Sequence, residues 1–272
     1  MEKGAQPAER PFAVASAFQR RGPHRFALEL TEDWYQGRAI YGGLSAAIMA
    51  RVMGAEAGED KLLRTLHTTF CAPGTAGEVE VHTEVVRSGR SVAFIRARME
   101  QAGQPIAIAT ATFARQRRSS TQGYAPPSLQ LPPVEEVPSG PEALYIPAFS
   151  RYFEFRQALG HSAFSGAEQA HVGGWCRLKE GPVPGQAALA PLFLDSWAPA
   201  ALSRSPHWAP CASIDIFVQI HTVLGRDTAI DWLGYEARSE HLDSGYADEQ
   251  ATLFFPDGRP IASSRQLIAI FE

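Results

Sequence analysis

Polar and apolar residues alternate over Glu78-Val79-Glu80-Val81-His82-Thr83-Glu84-Val85, the period of a strand with one wet and one buried face. Ser91 to Met99 and Ile106 to Phe113 continue the pattern, with turns marked by Gly89 and Gly103. A second series follows late in the chain: Ser213 to His221, Ile230 to Ser239, Gln250 to Phe255 and Ile261 to Phe271, with a hairpin signal at Asp257-Gly258. Two other stretches are apolar almost all round. One runs from Gly43 to Met53 and is entered through Gly42-Gly43; the other runs from Ala187 to Trp197, with Pro191 either starting it afresh or kinking it. A helix without a polar face is a buried helix. The pattern predicts an α+β chain: one buried helix wrapped by a mainly antiparallel sheet, made twice. Joining the two sheets edge to edge would cover each other's exposed strands.

A short motif supports the doubling. Ser88-Gly89, a strand-like stretch and Gly103-Gln104-Pro105-Ile106-Ala107 are matched by Ser244-Gly245, a similar stretch and Gly258-Arg259-Pro260-Ile261-Ala262. An ordered series with nearly constant spacing points to a duplicated unit. Two copies can form a cleft that one cannot, and one copy can lose a site that the other keeps. Between them, Pro126-Pro127, Pro132-Pro133, Pro138, Pro141 and Pro147 remove donors and fix extended backbone, as in a connector. The expected division is an N-terminal unit over 1–118, a connector over 119–147 and a C-terminal unit over 148–272.

Composition narrows the classes. A chain of 272 residues can bury a sizeable core, and a net charge of −4 argues against a general nucleic-acid binder. Three cysteines without a CxxC pair suit free thiols in a reducing cytosol. The first residues lack the apolar stretch of a signal peptide, and no apolar run is long enough to cross a bilayer, so a cytoplasmic protein without membrane contact is expected. The eight histidines form no HxH or HExxH cluster, and neither GxGxxG nor a P-loop is present. Neither a metal nor a cofactor is expected.

Three polar residues stand out. Asp195 is the one acid in an apolar helical stretch, where a lone carboxylate needs partners; a helix-end cap would explain it too. Ser213 opens a strand and alone carries no weight. Gln266 sits inside the last strand, where a buried amide needs partners for both its oxygen and its nitrogen; a satisfied cross-strand bond is the plainer explanation. Gly43-Leu44-Ser45-Ala46-Ala47 is a degenerate nucleophile elbow without its final Gly, and the chain lacks the alternating strand–helix units of a serine hydrolase. His67 and His221 lie on strands, in roughly corresponding places, and are left outside the site.

Taken together, the chain resembles the type II acyl-CoA thioesterases, the TesB-like family, built as a double hotdog. In the first half the resemblance rests on Tyr41-Gly42-Gly43 leading into the helix, then Leu66-His67-Thr68-Thr69-Phe70-Cys71-Ala72-Pro73-Gly74. In the second it rests on Asp195, on Ala212-Ser213-Ile214-Asp215, and on Asp257 to Gln266. It implies a catalytic trio of Asp195, Ser213 and Gln266, with Ser213 where the family carries Thr. It also implies an acyl-CoA substrate, hydrolysis by a held water, and pairing into a homo-oligomer. Gly42 and Gly43 would let the substrate approach the backbone at the helix start, although close helix–sheet packing explains them equally well. A hotdog dehydratase would need a His near the Asp, and none follows Asp195 before His207. The Ser–Thr exchange leaves a second reading open, a non-hydrolytic acyl-CoA or acyl-carrier binding protein with the same pocket.

Overall fold

The alternating stretches become strands of one antiparallel sheet. A computed structural model describes residues 10–118, 120, 129–140, 147–225 and 227–271. The first half contains β1 (Gln19–Gly22), β2 (Arg25–Leu30), α1 (Gly42–Ala57), β3 (Leu62–Phe70), β4 (Gly77–Ser88), β5 (Val92–Gln101) and β6 (Gln104–Ala114). The second contains β7 (Phe153–Gly160), β8 (His171–Leu178), α2 (Leu189–Leu194), β9 (Cys211–Ile220), β10 (Leu233–Arg238), β11 (Tyr246–Phe254) and β12 (Pro260–Ile270). Along the sheet the order is β1-β2-β4-β5-β6-β3-β9-β12-β11-β10-β8-β7, with the two-residue strand Leu242–Asp243 paired to β11. Read outward from the centre, the two halves repeat each other. They meet where β3 pairs with β9, at Thr69–Asp215, His67–Phe217 and Thr65–Gln219, so each half covers the other's open edge.

The duplication reaches down to the irregularities. The β3–β6 register slips between Leu63 and Thr65, and the β9–β12 register slips at the corresponding place, between Ser213 and Asp215. A second slip recurs at Glu100–Pro105 and Phe254–Pro260. Bulges re-aim side chains, and two in matching positions are inherited geometry rather than coincidence.

Each half wraps one helix. In α1, Leu44, Ile48, Met49, Val52 and Met53 are fully buried, as is the Ala46-Ala47 pair. Each large side chain contributes roughly 1.5–3 kcal/mol relative to exposure, which holds the helix against the sheet. Good helix formers fill its middle. It stops at Gly58, whose φ of 92° lies where a side chain is disfavoured.

The second helix is shorter than its sequence suggests. The stretch Ala187 to Trp197 was expected to be helical, with a fresh start or a kink at Pro191, but only Leu189–Leu194 is, and Asp195 caps its end with φ −102° and ψ 5°. Pro191 sits in the first turn, where its missing N–H would have had no intrahelical partner. After Asp195 the chain folds back: both the backbone N–H (3.2 Å) and the hydroxyl (2.8 Å) of Ser196 donate to the Phe193 carbonyl. Strands β1, β2, β7 and β8 were not foreseen. Of the expected connector, 119, 121–128 and 141–146 lie outside the described residues. Among its described residues, Trp175 Nε1 donates to the Pro132 carbonyl (2.8 Å) and Arg156 to that of Val134 (2.8 Å), so this stretch lies against the second half.

Candidate active site

The β9 bulge turns Ser213 toward the end of α2. Its Oγ lies 3.1 Å from Asp195 Oδ1 and 3.0 Å from Gln266 Oε1. Gln266 is 6% exposed, and its Nε2 reaches the Leu194 carbonyl at 3.5 Å. The three side chains singled out in the sequence, distant along the chain, therefore converge. One hydroxyl proton cannot serve both neighbours. When Asp195 is ionised the charged oxygen takes it, and Gln266 Oε1 is left free to accept from something else.

The first half completes the site. The backbone N–H of Gly43 faces the Asp195 carboxylate and favours its charge, so this acid from the second half sits at the positive end of α1. A methyl group at Gly42 would come within 2.9 Å of Asp195 Oδ2 and 3.0 Å of the Phe70 ring; only glycine leaves the carboxylate room. Tyr41, fully buried, donates its hydroxyl to the Leu192 carbonyl (2.5 Å) and so closes the free end of α2. Gly42 and Gly43 thus border Asp195 directly. Tyr41 was seen in the sequence only as the approach to the helix.

Burial pushes the Asp195 carboxyl up to about 7, partly offset by its bonds to Ser213, the Gly43 N–H and Gln266. The residue keeps a partial opening to solvent. A carboxyl poised near neutrality and bordered by donors is what a general base for water needs. Ser45, the serine of the degenerate elbow, is buried in the first turn of α1 with its N–H on the Tyr41 carbonyl. His67 and His221 lie on the exposed side, beside Asp215 (3.6 Å) and Ser263 (2.9 Å).

Residues 30–114 match the acyl-CoA thioesterase N-terminal domain, and residues 128–270 match the acyl-CoA thioesterase C-terminal domain. The chain belongs to the acyl-CoA thioesterase family. It is therefore a thioester hydrolase. No match was found among curated protein sequences. A hot dog fold protein of unknown function from Alicyclobacillus acidocaldarius superposes with a TM-score of 0.88 at 22% identity, over 96% of this chain and 98% of that one. The tesB protein of Mycobacterium avium subs paratuberculosis gives 0.76 at 20% identity, over 96% and 98%. The acyl-CoA thioesterase II TesB2 of Mycobacterium marinum gives 0.72 at 17% identity, over 96% and 97%. At such identities the likeness carries the double hotdog fold alone.

In this thioesterase only one of the two halves has the polar trio's strand residues. The β9–β12 pair Ile216–Gln266 corresponds to Leu66–Ala111 in the first half, and Ser213 corresponds to Leu63. Leu63 and Ala111 are buried and have no polar side-chain atom. Described helices include none long and apolar enough to cross a membrane.

Proposed function

We propose that this thioesterase hydrolyses acyl-CoA to the free acid and CoA by direct attack of a water held by Asp195, Ser213 and Gln266, with no covalent intermediate. The observation that carries the reading is Ser213 Oγ lying between Asp195 (3.1 Å) and Gln266 (3.0 Å) beside the start of α1. In the active form Asp195 is ionised and accepts the Ser213 hydroxyl and the Gly43 N–H. The attacking water gives one hydrogen toward Asp195 and the other toward Gln266 Oε1, which aims its lone pair at the thioester carbon. As the water attacks, its proton passes to Asp195. The C–S bond then breaks, and the thiolate of CoA recovers a proton from that carboxyl or from solvent.

Negative charge that develops on the carbonyl oxygen would be met at the N-terminal end of α1; the space beside Gly42 is taken by Asp195 and Phe70, so that glycine serves the carboxylate rather than the substrate. The Gly43 N–H faces Asp195, so the oxygen would be served by its neighbours at that end and by the helix dipole. The acyl chain would run along apolar surface between helix and sheet. Incubating the purified protein with a panel of acyl-CoAs and measuring released thiol tests the reading. Turnover that depends on Asp195, Ser213 and Gln266 supports it; turnover indifferent to all three contradicts it.

A further inference from the structure

A second carboxylate lies behind the first. Glu249 stands directly opposite Gln266 in the β11–β12 ladder and is 3% exposed. Its Oε2 accepts the backbone N–H of Ala200 at 2.6 Å. Ala200 opens the short helical turn Ala200–Arg204, five residues after Asp195 in the same reversal of the chain. Tyr235, fully buried on β10, faces Glu249 without meeting strict hydrogen-bond geometry, and its ring stacks on Trp197 at 5.2 Å and 1°. So Glu249 and its neighbour Tyr235 grip the segment from Asp195 to Ala200 at two points.

We propose that Glu249 is a positioning residue of this site: it anchors the turn that carries Asp195, and it stays uncharged while Asp195 holds the negative charge. The proposal rests on Asp195 being the base. Two carboxylates in one buried site cannot both ionise cheaply, because like charges repel strongly where water is excluded. Asp195 has the Ser213 hydroxyl, the Gly43 N–H and the Gln266 amide to stabilise its charge. Glu249 has one backbone N–H and the Tyr235 phenol, and burial pushes it up to about 8, with the Asp195 charge adding to the rise.

Losing the Glu249 proton places a second negative charge beside a transition state that is itself becoming negative, so activity falls on the alkaline side. Among the described residues, the groups that interact with the pair are placed elsewhere on the pH scale. Burial lifts the Cys211 thiol, at the start of β9, to about 11 and the Cys176 thiol, on β8, to about 12. Tyr41 and Tyr235 are held well above the ordinary phenol value, and Asp248, the neighbour on β11, is lowered by its bonds to His241 and Glu240 and is already charged.

The test is the pH profile of kcat with an acyl-CoA substrate. Wild type should give a bell. Glu249→Gln keeps an acceptor for Ala200 and should keep the acid limb while losing the alkaline one. Glu249→Ala should cut kcat by on the order of 10²-fold through the loosened turn, with KM little changed. A wild-type plateau at high pH, an alkaline limb that survives in Glu249→Gln, or a normal kcat in Glu249→Ala overturns the proposal. Should the Gln variant not fold, the carboxyl carbon of Glu249 followed by NMR in wild type decides the matter: protonated at pH 7 supports it, ionised by pH 6 refutes it. Asp195→Asn separates the two ideas. A normal rate there removes the base assignment, whereas an inactive Asp195→Asn with an unchanged Glu249→Gln profile removes only this proposal.

Discussion

The carboxylate of Asp195, from the second half, is faced by the backbone N–H of Gly43, from the first. The site therefore belongs to neither half alone. The acid arrives at the end of the six-residue helix Leu189–Leu194, and the facing N–H lies at the start of the long helix Gly42–Ala57 of the other half. Each half on its own would lack part of the arrangement, which gives a physical reason for keeping both although the first has Leu63 and Ala111 where the second has Ser213 and Gln266.

Gly42 should tolerate no side chain. In Gly42→Ala the new methyl meets Asp195 Oδ2 at 2.9 Å and the rigid Phe70 ring at 3.0 Å, so the carboxylate must move. The expected outcome is a kcat lower by on the order of 10²-fold, with a stability loss of about 1–3 kcal/mol. Steady-state kinetics alongside urea denaturation checks it; a wild-type kcat would show that the carboxylate has slack.

Ser213 should matter through its hydroxyl. Ser213→Ala should lose about 10²–10³ in kcat, the magnitude of removing one preorganised hydrogen-bonding group. Ser213→Thr restores the hydroxyl and should recover most of that activity. If Ser213→Ala turned over normally, the bonds at 3.1 Å and 3.0 Å would be structural only.

Tyr41 ties the halves together. Tyr41→Phe removes the bond to the Leu192 carbonyl and leaves a buried acceptor at the end of α2 unpaired. A loss of about 1–3 kcal/mol in urea unfolding is expected. Because α2 also positions Asp195, kcat should fall with it; an unchanged denaturation midpoint would mean that water replaces the phenol.

Stability should decline from acid to neutral pH. Asp195 rises from its ordinary 3.8 to about 7, and Glu249 from 4.5 to about 8, both through burial. The folded chain therefore binds more protons than the unfolded chain between these values. The contribution is full below about pH 4 and is lost as pH rises through 7 and 8, with a slope approaching about 1.4 kcal/mol per pH unit for each group. Urea midpoints at pH 5, 6, 7 and 8 should fall in wild type and flatten in Asp195→Asn/Glu249→Gln. A flat wild-type curve would mean that neither carboxyl is raised.

Much of this was legible in the residues. Alternation located β4, β5, β6, β9 and β12, and the apolar stretch beginning at Gly43 located α1. Strand β8 escaped because Gly173-Gly174 breaks its pattern, and β7 because Phe153-Glu154-Phe155-Arg156 is too short a signal to stand alone. The bulge at Ser213 depends on pairing across the sheet, which no local pattern encodes. Asp195 was expected within a helix and instead ends one, because Ser196 turns the backbone back. Glu249 did carry a signal: it shares the face of Ala247, Ala251 and Leu253, all buried, so an acid stood on an apolar stripe.

The central claim is that Asp195 is the base, and the most direct measurement is thiol release from acyl-CoA by Asp195→Asn, with circular dichroism to verify the fold. A folded variant slower by about 10²–10⁴-fold is the expected result. A folded variant that hydrolyses at close to the wild-type rate would contradict it and place the base elsewhere.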